Sequence, residues 1–296
     1  MRVSWAVGLW LAAWGCGDDA SSSGGGAQGG GPAGGAESVG GAGGPVGGGG
    51  AGAGGVGGDG GGGAPSALHR LRFAHLSPDA ATLDLCLIDA ASDVVGPLFG
   101  GGDALVFPSA SGYLDVPAAT VVVRLVDGAT GSCDEALAEL PARTLAPGAS
   151  STLAAVGSLG STPALGIRAF DDEVVGVPGE VRQRFVHAIV DATPPSIDLG
   201  LGAGAEFEPL WTDVAFGEVG LVDGQPYLVT EPLNLVTMTL RDSVSGEDLL
   251  SVENISIPPG EIVTSFAVGE LGGATPLQVL ACLDLGGFCI EFPFVP

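Results

Sequence analysis

Two stretches decide the fold: R-F-A-H-L-S-P-D-A-A-T-L-D-L, from Arg72 to Leu85, and R-F-V-H-A-I-V-D-A-T-P-P-S-I-D-L, from Arg184 to Leu199. The step from His75 to His187 equals the step from Asp79 to Asp191, and Asp84 and Asp198 keep it after a short insertion at Pro194-Pro195. Further on, L-A-P-G-A-S-S-T-L-A-A-V-G-S-L-G (Leu145 to Gly160) answers I-P-P-G-E-I-V-T-S-F-A-V-G-E-L-G (Ile257 to Gly272), and Gly148 and Gly260 stand at the same offset as the histidines. The two tyrosines, Tyr113 and Tyr227, fall at matching places. Scarce residues that coincide at one offset mark an internal duplication, and units of about 100 residues are ordinary domain sizes.

Within each unit the pattern is β. Leu71, Phe73 and His75 alternate with Arg70, Arg72 and Ala74, and Leu83, Leu85 and Leu87 alternate with Asp84 and Cys86. Pro-Gly, Asp-Gly and Gly-Gly pairs punctuate the strands. Asp134 to Leu140 is the one short helical candidate. The expected fold is all-β: two tandem antiparallel β-sandwiches of immunoglobulin or transthyretin type, at 67–172 and 182–296, joined by a linker at 173–181. The tail from Phe288 reads as an added strand covering an open edge.

The opening R-F-x-H-x-S-P-D-A-x-x-x-D, the middle Y-x-x-V-P-A (Tyr113 to Ala118) and the closing L-x-P-G-x-x-x-T-L-x-A-V-G resemble the bacterial domain of unknown function 4397, in two copies over residues 70 to 284. The resemblance implies an all-β fold in a secreted or surface-anchored protein, and implies no particular activity. The second copy departs from the pattern, with Ile189-Val190 in place of Ser77-Pro78 and Thr230-Glu231 interrupting the Tyr-to-Pro spacing.

Ahead of the repeats, residues 17 to 65 hold 26 of the chain's 54 glycines. They lack the strict every-third-residue glycine of collagen and have little side chain to bury, so 16–66 reads as a disordered linker. Residues 1–15 read as a signal peptide: Met1-Arg2, then an apolar run from Val3 to Trp14 that is too short to span a bilayer. Ala13-Trp14-Gly15-Cys16 resembles a bacterial lipobox, which makes Cys16 the expected lipid-attachment site. Two acyl chains suffice for stable anchoring, and Gly17 after the cysteine resembles default sorting to the Gram-negative outer membrane.

Charge excludes several functions. Against 34 acids the chain has 9 basic residues, all Arg, for a net charge of -25. DNA, RNA and anionic lipid surfaces are repelled. Without Lys there is neither a P-loop nor Schiff-base chemistry. The folded part carries the imbalance, with 30 acids against 8 Arg after residue 65.

His75 and His187 recur with an acid four residues on, but alternation puts both on the face expected to be buried, and no G-x-S-x-G nucleophile elbow accompanies them. The repeated carboxylates Asp79, Asp84, Asp191 and Asp198 invite a Ca²⁺ site, yet the dense D-x-D-x-D-G loop that supplies six to eight oxygens is absent. Tyr113 and Tyr227 read as packing residues with a bonded hydroxyl. With Cys16 lipidated, four cysteines remain and three pairings exist; Cys86 with Cys133 and Cys282 with Cys289 are favoured, the second across a hairpin turning at Asp284 to Gly287. The favoured function is a non-enzymatic, tethered envelope module, free of cofactor, for adhesion, structure or binding to a protein or polysaccharide. The alternative is a cation-dependent or carboxylate-based hydrolase with its site between the sandwiches near Glu173 to Glu180.

Overall fold

The computed structural model describes residues 68–100, 102–190 and 196–293. The signal segment, Cys16, the Gly-rich linker and Asp191 lie outside the described residues. The first repeat supplies β1 (Leu68–His75), β2 (Thr82–Asp89), β3 (Val94–Val95), β4 (Leu105–Val106) and β5 (Ser109–Ala110). It continues through β6 (Leu114–Pro117), β7 (Thr120–Asp127), β8 (Ala138–Thr144), β9 (Ser150–Val156) and β10 (Gly166–Asp171). The second supplies β11 (Val181–His187), β12 (Ile197–Leu201), β13 (Glu208–Val214), β14 (Leu228–Thr230) and β15 (Leu233–Asp242). It closes with β16 (Asp248–Ile257), β17 (Ile262–Val268), β18 (Gln278–Leu283) and β19 (Phe288–Pro293).

Each repeat builds an inner and an outer sheet. The first inner sheet runs β10-β9-β1, with β5 and β6 on the far side of β1; the first outer sheet runs β2-β7-β8, with β3 and β4 beside β2. In the second repeat these become β14-β11-β17-β18-β19 and β13-β12-β15-β16. The duplication is visible in register: Arg70 pairs with Ser150 where Arg182 pairs with Ile262, both partners advanced by the repeat offset. Both pairings are parallel, so each inner sheet is mixed rather than wholly antiparallel.

Apolar alternation explains the layers. Leu83, Leu85 and Leu87 of β2 and Val121, Val123 and Leu125 of β7 meet Leu71 and Phe73 of β1 and Leu153 and Ala155 of β9. Ile197, Leu199, Trp211, Leu240 and Leu250 meet Phe185 and Ala267 in the second repeat. Burying each large side chain of this kind contributes about 1.5–3 kcal/mol. A third core has members in both repeats: Ala74, Ala154, Val156 and Phe170 pack with Val186, Phe266, Val268 and Leu280. The inner sheets therefore lie face to face, and the four sheets stack as outer, inner, inner, outer. Gly63–Pro296 group as one compact unit, so the repeats are not independent bodies. That is why β1 is buried on both faces, where alternation alone predicts one.

The A-V-G motifs end β9 and β17. Gly157 (φ +95°) and Gly269 (φ +106°) take a left-handed conformation there. A Cβ on either would strike the backbone of Ala164 or Pro276, so no other residue fits without movement.

The helix expected at Asp134 to Leu140 is not formed. Cys133 is disulfide-bonded to Cys86, the Leu137 amide donates to the Leu125 carbonyl, and Leu140 pairs with Val123. Tertiary pairing thus draws the segment into β8. Cys282 and Cys289 face each other on β18 and β19 and are bonded. Leu283 pairs with Phe288, leaving Asp284 to Gly287 as the hairpin loop.

Candidate functional site

The most polar region of the interior lies where the inner sheets meet. Even-numbered residues of β1 face the second repeat, which places Arg72 there, fully buried. Its Nη1 donates to Asp284 Oδ1 at 2.7 Å and its Nε to Thr152 Oγ1 at 2.9 Å. Arg184, 1% exposed, makes the reciprocal set: Nη2 donates to Asp172 Oδ1 at 2.5 Å and to Thr264 Oγ1 at 2.9 Å. Arg72 and Arg184, Thr152 and Thr264, and Asp172 and Asp284 are all related by the single repeat offset. Each repeat's arginine therefore bonds the other repeat's aspartate. Contacts of the form i to j and j to i identify a pseudo-twofold, isologous interface.

The tyrosines complete it. The Tyr113 hydroxyl donates to Asp172 Oδ2 at 2.9 Å, and the Glu173 amide donates to the Tyr227 hydroxyl at 3.2 Å. Arg72 stacks 5.0 Å above the Tyr113 ring, and Arg184 stacks 5.0 Å above that of Tyr227. Burial pushes the Tyr113 hydroxyl pKa up and that of Tyr227 up to about 12, against the pull of Arg72 and Arg184 respectively. Burial also raises the Asp284 carboxyl above the usual carboxylate range, despite Arg72 and Arg184. Desolvation thus outweighs attraction at Asp284, and the network acts chiefly to fix register.

A cavity of about 410 Å³ opens beside this network, lined by Gly148 to Ser150, Asp171 to Val175 and Arg182. This is the acidic cleft near Glu173 that would favour a hydrolase. Its carboxylates are held by arginines: Asp171 by Arg143, Asp172 by Arg184 and Glu173 by Arg182. A glycosidase-type acid and base must be free to exchange protons with substrate; these three are tied into ion pairs.

The recurrent histidines are wholly buried. The Ser77 amide donates to His75 Nδ1 at 3.3 Å, leaving Nε2 to donate to the Ala80 carbonyl at 3.1 Å. Burial lowers the His75 pKa to about 4, against the Ala80 bond and the Asp79 charge. The Ile189 amide donates to His187 Nδ1 in the matching turn, and Phe107 and Phe216 pack edge-on against the two rings. Both histidines shape the turn after the first strand of their repeat.

Asp79 accepts from Ser77 Oγ, Ser158 Oγ and the amides of Leu159 and Gly160. Burial works to raise its pKa, and these bonds together outweigh it and hold the carboxyl below its ordinary value. Asp84 accepts from the amides of Leu85 and Phe99, and Asp198 from that of Asp213. These expected calcium ligands serve instead as loop ties, and among the described residues no three His, Cys, Asp or Glu side chains could hold a metal ion.

Sequence reading did not single out Arg72, Arg184, Asp172, Asp284, Thr152 or Thr264; the shared repeat offset was the available signal. It also passed over His69, whose ring bonds the Ala146 carbonyl and Ser151 Oγ.

Residues 69–199 match the family model described as Domain of unknown function (DUF4397), a stretch that covers the first repeat and the opening strands of the second. No curated protein matches the chain. Among solved structures, a candidate adhesin from Bacteroides ovatus is similar at 13% identity, covering 76% of this chain and 95% of that one with a TM-score of 0.22. A leucine-rich repeat protein from Bacteroides thetaiotaomicron VPI-5482 is similar at 13% identity, covering 70% of this chain and 26% of that one with a TM-score of 0.18.

Proposed function

We propose, from the premise that residues 69–199 match the DUF4397 family, that the chain is a non-enzymatic cell-envelope protein that presents its paired sandwiches for binding, adhesion or a structural role. One observation carries the reading. The side chains that recur in both repeats and could serve chemistry, namely the histidines, the tyrosines and the buried Arg–Asp pairs, are bonded inside the fold and hold turns or the inter-repeat layer. The two bonded cysteine pairs suit an oxidising, extracytoplasmic compartment. A second DUF4397 copy at 182–296, lipid at Cys16 and placement at the outer membrane belong to the same reading, with a protein or polysaccharide of neutral or cationic character as ligand.

Crosslinking on intact cells, with palmitate labelling of the native chain and a Cys16→Ser variant, tests it. The native chain should take up lipid and crosslink to an envelope component, and the variant should do neither. Hydrolysis of an envelope polymer that disappears in a folded His75→Asn/His187→Asn double variant would overturn the non-enzymatic assignment.

A further inference from the structure

Strands β10 and β18 occupy equivalent places, one repeat offset apart, at the same side of their inner sheets. They differ at the outer edge. β18 is covered by β19, through pairs running from Gln278 with Pro293 to Leu283 with Phe288. β10 pairs with β9, in an uninterrupted register from Gly166 with Val156 to Asp171 with Ser151, and with no other strand among the described residues. The Asp172 amide donates to the Ser150 carbonyl. Alternation then turns the backbone groups of Gly166, Arg168 and Phe170 toward β9 and points those of Ile167, Ala169 and Asp171 outward. In the second repeat their counterparts Val279, Ala281 and Leu283 pair with Phe292, Ile290 and Phe288.

The other long edges are blunted. β8 contains Pro141, β13 contains Pro209 and register shifts against β12, β16 pairs irregularly with β15, and β19 ends on Pro293. β10, Gly-Ile-Arg-Ala-Phe-Asp, has neither proline nor bulge. Native sheets seldom leave a regular edge undefended, because it is a template for another strand.

We infer that β10 is a docking edge for an extended, basic segment of a partner protein, which adds antiparallel to the inner sheet where β19 lies in the second repeat. The inference rests on the binding role above and names its surface. Charge decides the occupant. A second copy would bring together two bodies that each carry 30 acids and 8 Arg beyond residue 65, whereas a cationic strand is drawn in. In the β18–β19 arrangement the added strand begins beside Leu283. At β10 it would begin beside Asp171, next to Asp172 and Glu173, so the basic residues belong at the segment's N-terminal flank.

Hydrogen exchange on the full chain in detergent tests this, with the synthetic peptide Lys-Lys-Phe-Ser-Ile-Arg-Phe as probe and its acidic twin Glu-Glu-Phe-Ser-Ile-Glu-Phe as control. In the free protein the amides of Ile167, Ala169 and Asp171 should exchange at least about tenfold faster than those of Val279, Ala281 and Leu283. The basic peptide should slow the β10 amides by about tenfold at low salt and the acidic twin should not. Ala169→Pro removes one outward N–H and leaves the β9 ladder intact, so the folded variant should lose the protection; the native comparison of β10 with β18 needs no variant. Slow β10 exchange in the free monomer, equal protection by both peptides, or protection that persists in folded Ala169→Pro would overturn the inference. Protection that instead grows with protein concentration alongside a dimer would assign the edge to a second copy and overturn the partner named here. An unprotected β10 edge with envelope crosslinking intact would remove the edge and leave the binding role standing.

Discussion

Asp284→Leu is the sharpest perturbation of the inter-repeat layer. The substitution removes the acceptor of Arg72 Nη1 and Thr264 Oγ1 and strands a guanidinium whose side chain, like that of Asp284, has no solvent exposure. Arg72 Nη2 already lacks a partner among the described residues, so nothing nearby takes up the lost charge pairing. Breaking one side of a buried pair costs about 3–5 kcal/mol, whereas replacing both partners by apolar groups of similar volume is near neutral. Arg72→Met/Asp284→Leu should therefore recover at least about 2 kcal/mol relative to Asp284→Leu alone. Urea unfolding followed by tryptophan fluorescence reads this well, because Trp211 is the sole tryptophan beyond the leader and is buried in the second repeat's outer core. The single variant should lower the midpoint by about 1–2 M. Arg72→Met, a change in the first repeat, should also move the Trp211 signal. If the two substitutions prove additive, or if Trp211 ignores Arg72→Met, the reciprocal network does not couple the repeats and the reasoning fails.

Calorimetry should give one cooperative transition for both repeats, since they share an apolar layer; two resolved peaks would show independent units. His75, with its pKa lowered from 6.5 to about 4 by burial, contributes stability that is fully present above pH 6.5 and lost as pH falls toward 4, because the unfolded chain takes the proton first. His75→Asn should therefore narrow its deficit from the native protein by about 3 kcal/mol between pH 7 and pH 4, and a constant gap across that range would contradict the assignment. Asp284, whose pKa is raised, runs the opposite way, and its contribution weakens as pH rises through the carboxylate range. Removing the Cys86–Cys133 bond, which spans 47 residues, should cost about 4 kcal/mol by loop entropy, and removing Cys282–Cys289, which spans 7, about 2.5 kcal/mol. Reversing that order in paired Cys→Ser variants would refute the loop account. Calcium and EDTA should leave the melting temperature unchanged, because Asp79 and Asp84 are occupied by amides and hydroxyls.

Local chemistry was legible in the sequence and the covering layer was not. Alternation at Leu83, Leu85 and Leu87 fixed β2, the repeat offset fixed the duplicated strand order, and the Asp284 to Gly287 turn placed Cys282 against Cys289. Arg72 and Arg184 read as outward polar partners of Phe73 and Phe185, because the sheet that buries them comes from the other repeat, far along the chain. The same non-local covering turns Ala74 and Val186 into core residues. At Asp134 to Leu140 a weak helical pattern yielded to the disulfide at Cys133 and to pairing with β7.

The reciprocal pairs Arg72–Asp284 and Arg184–Asp172 have the form of a homodimer contact made within one polypeptide. A two-chain dimer of this kind comes apart when diluted. Here the connecting residues 172–180 hold each half at an effective concentration on the order of millimolar, whatever the number of molecules around it. A protein at the cell exterior faces near-unlimited dilution, and this interface is indifferent to it.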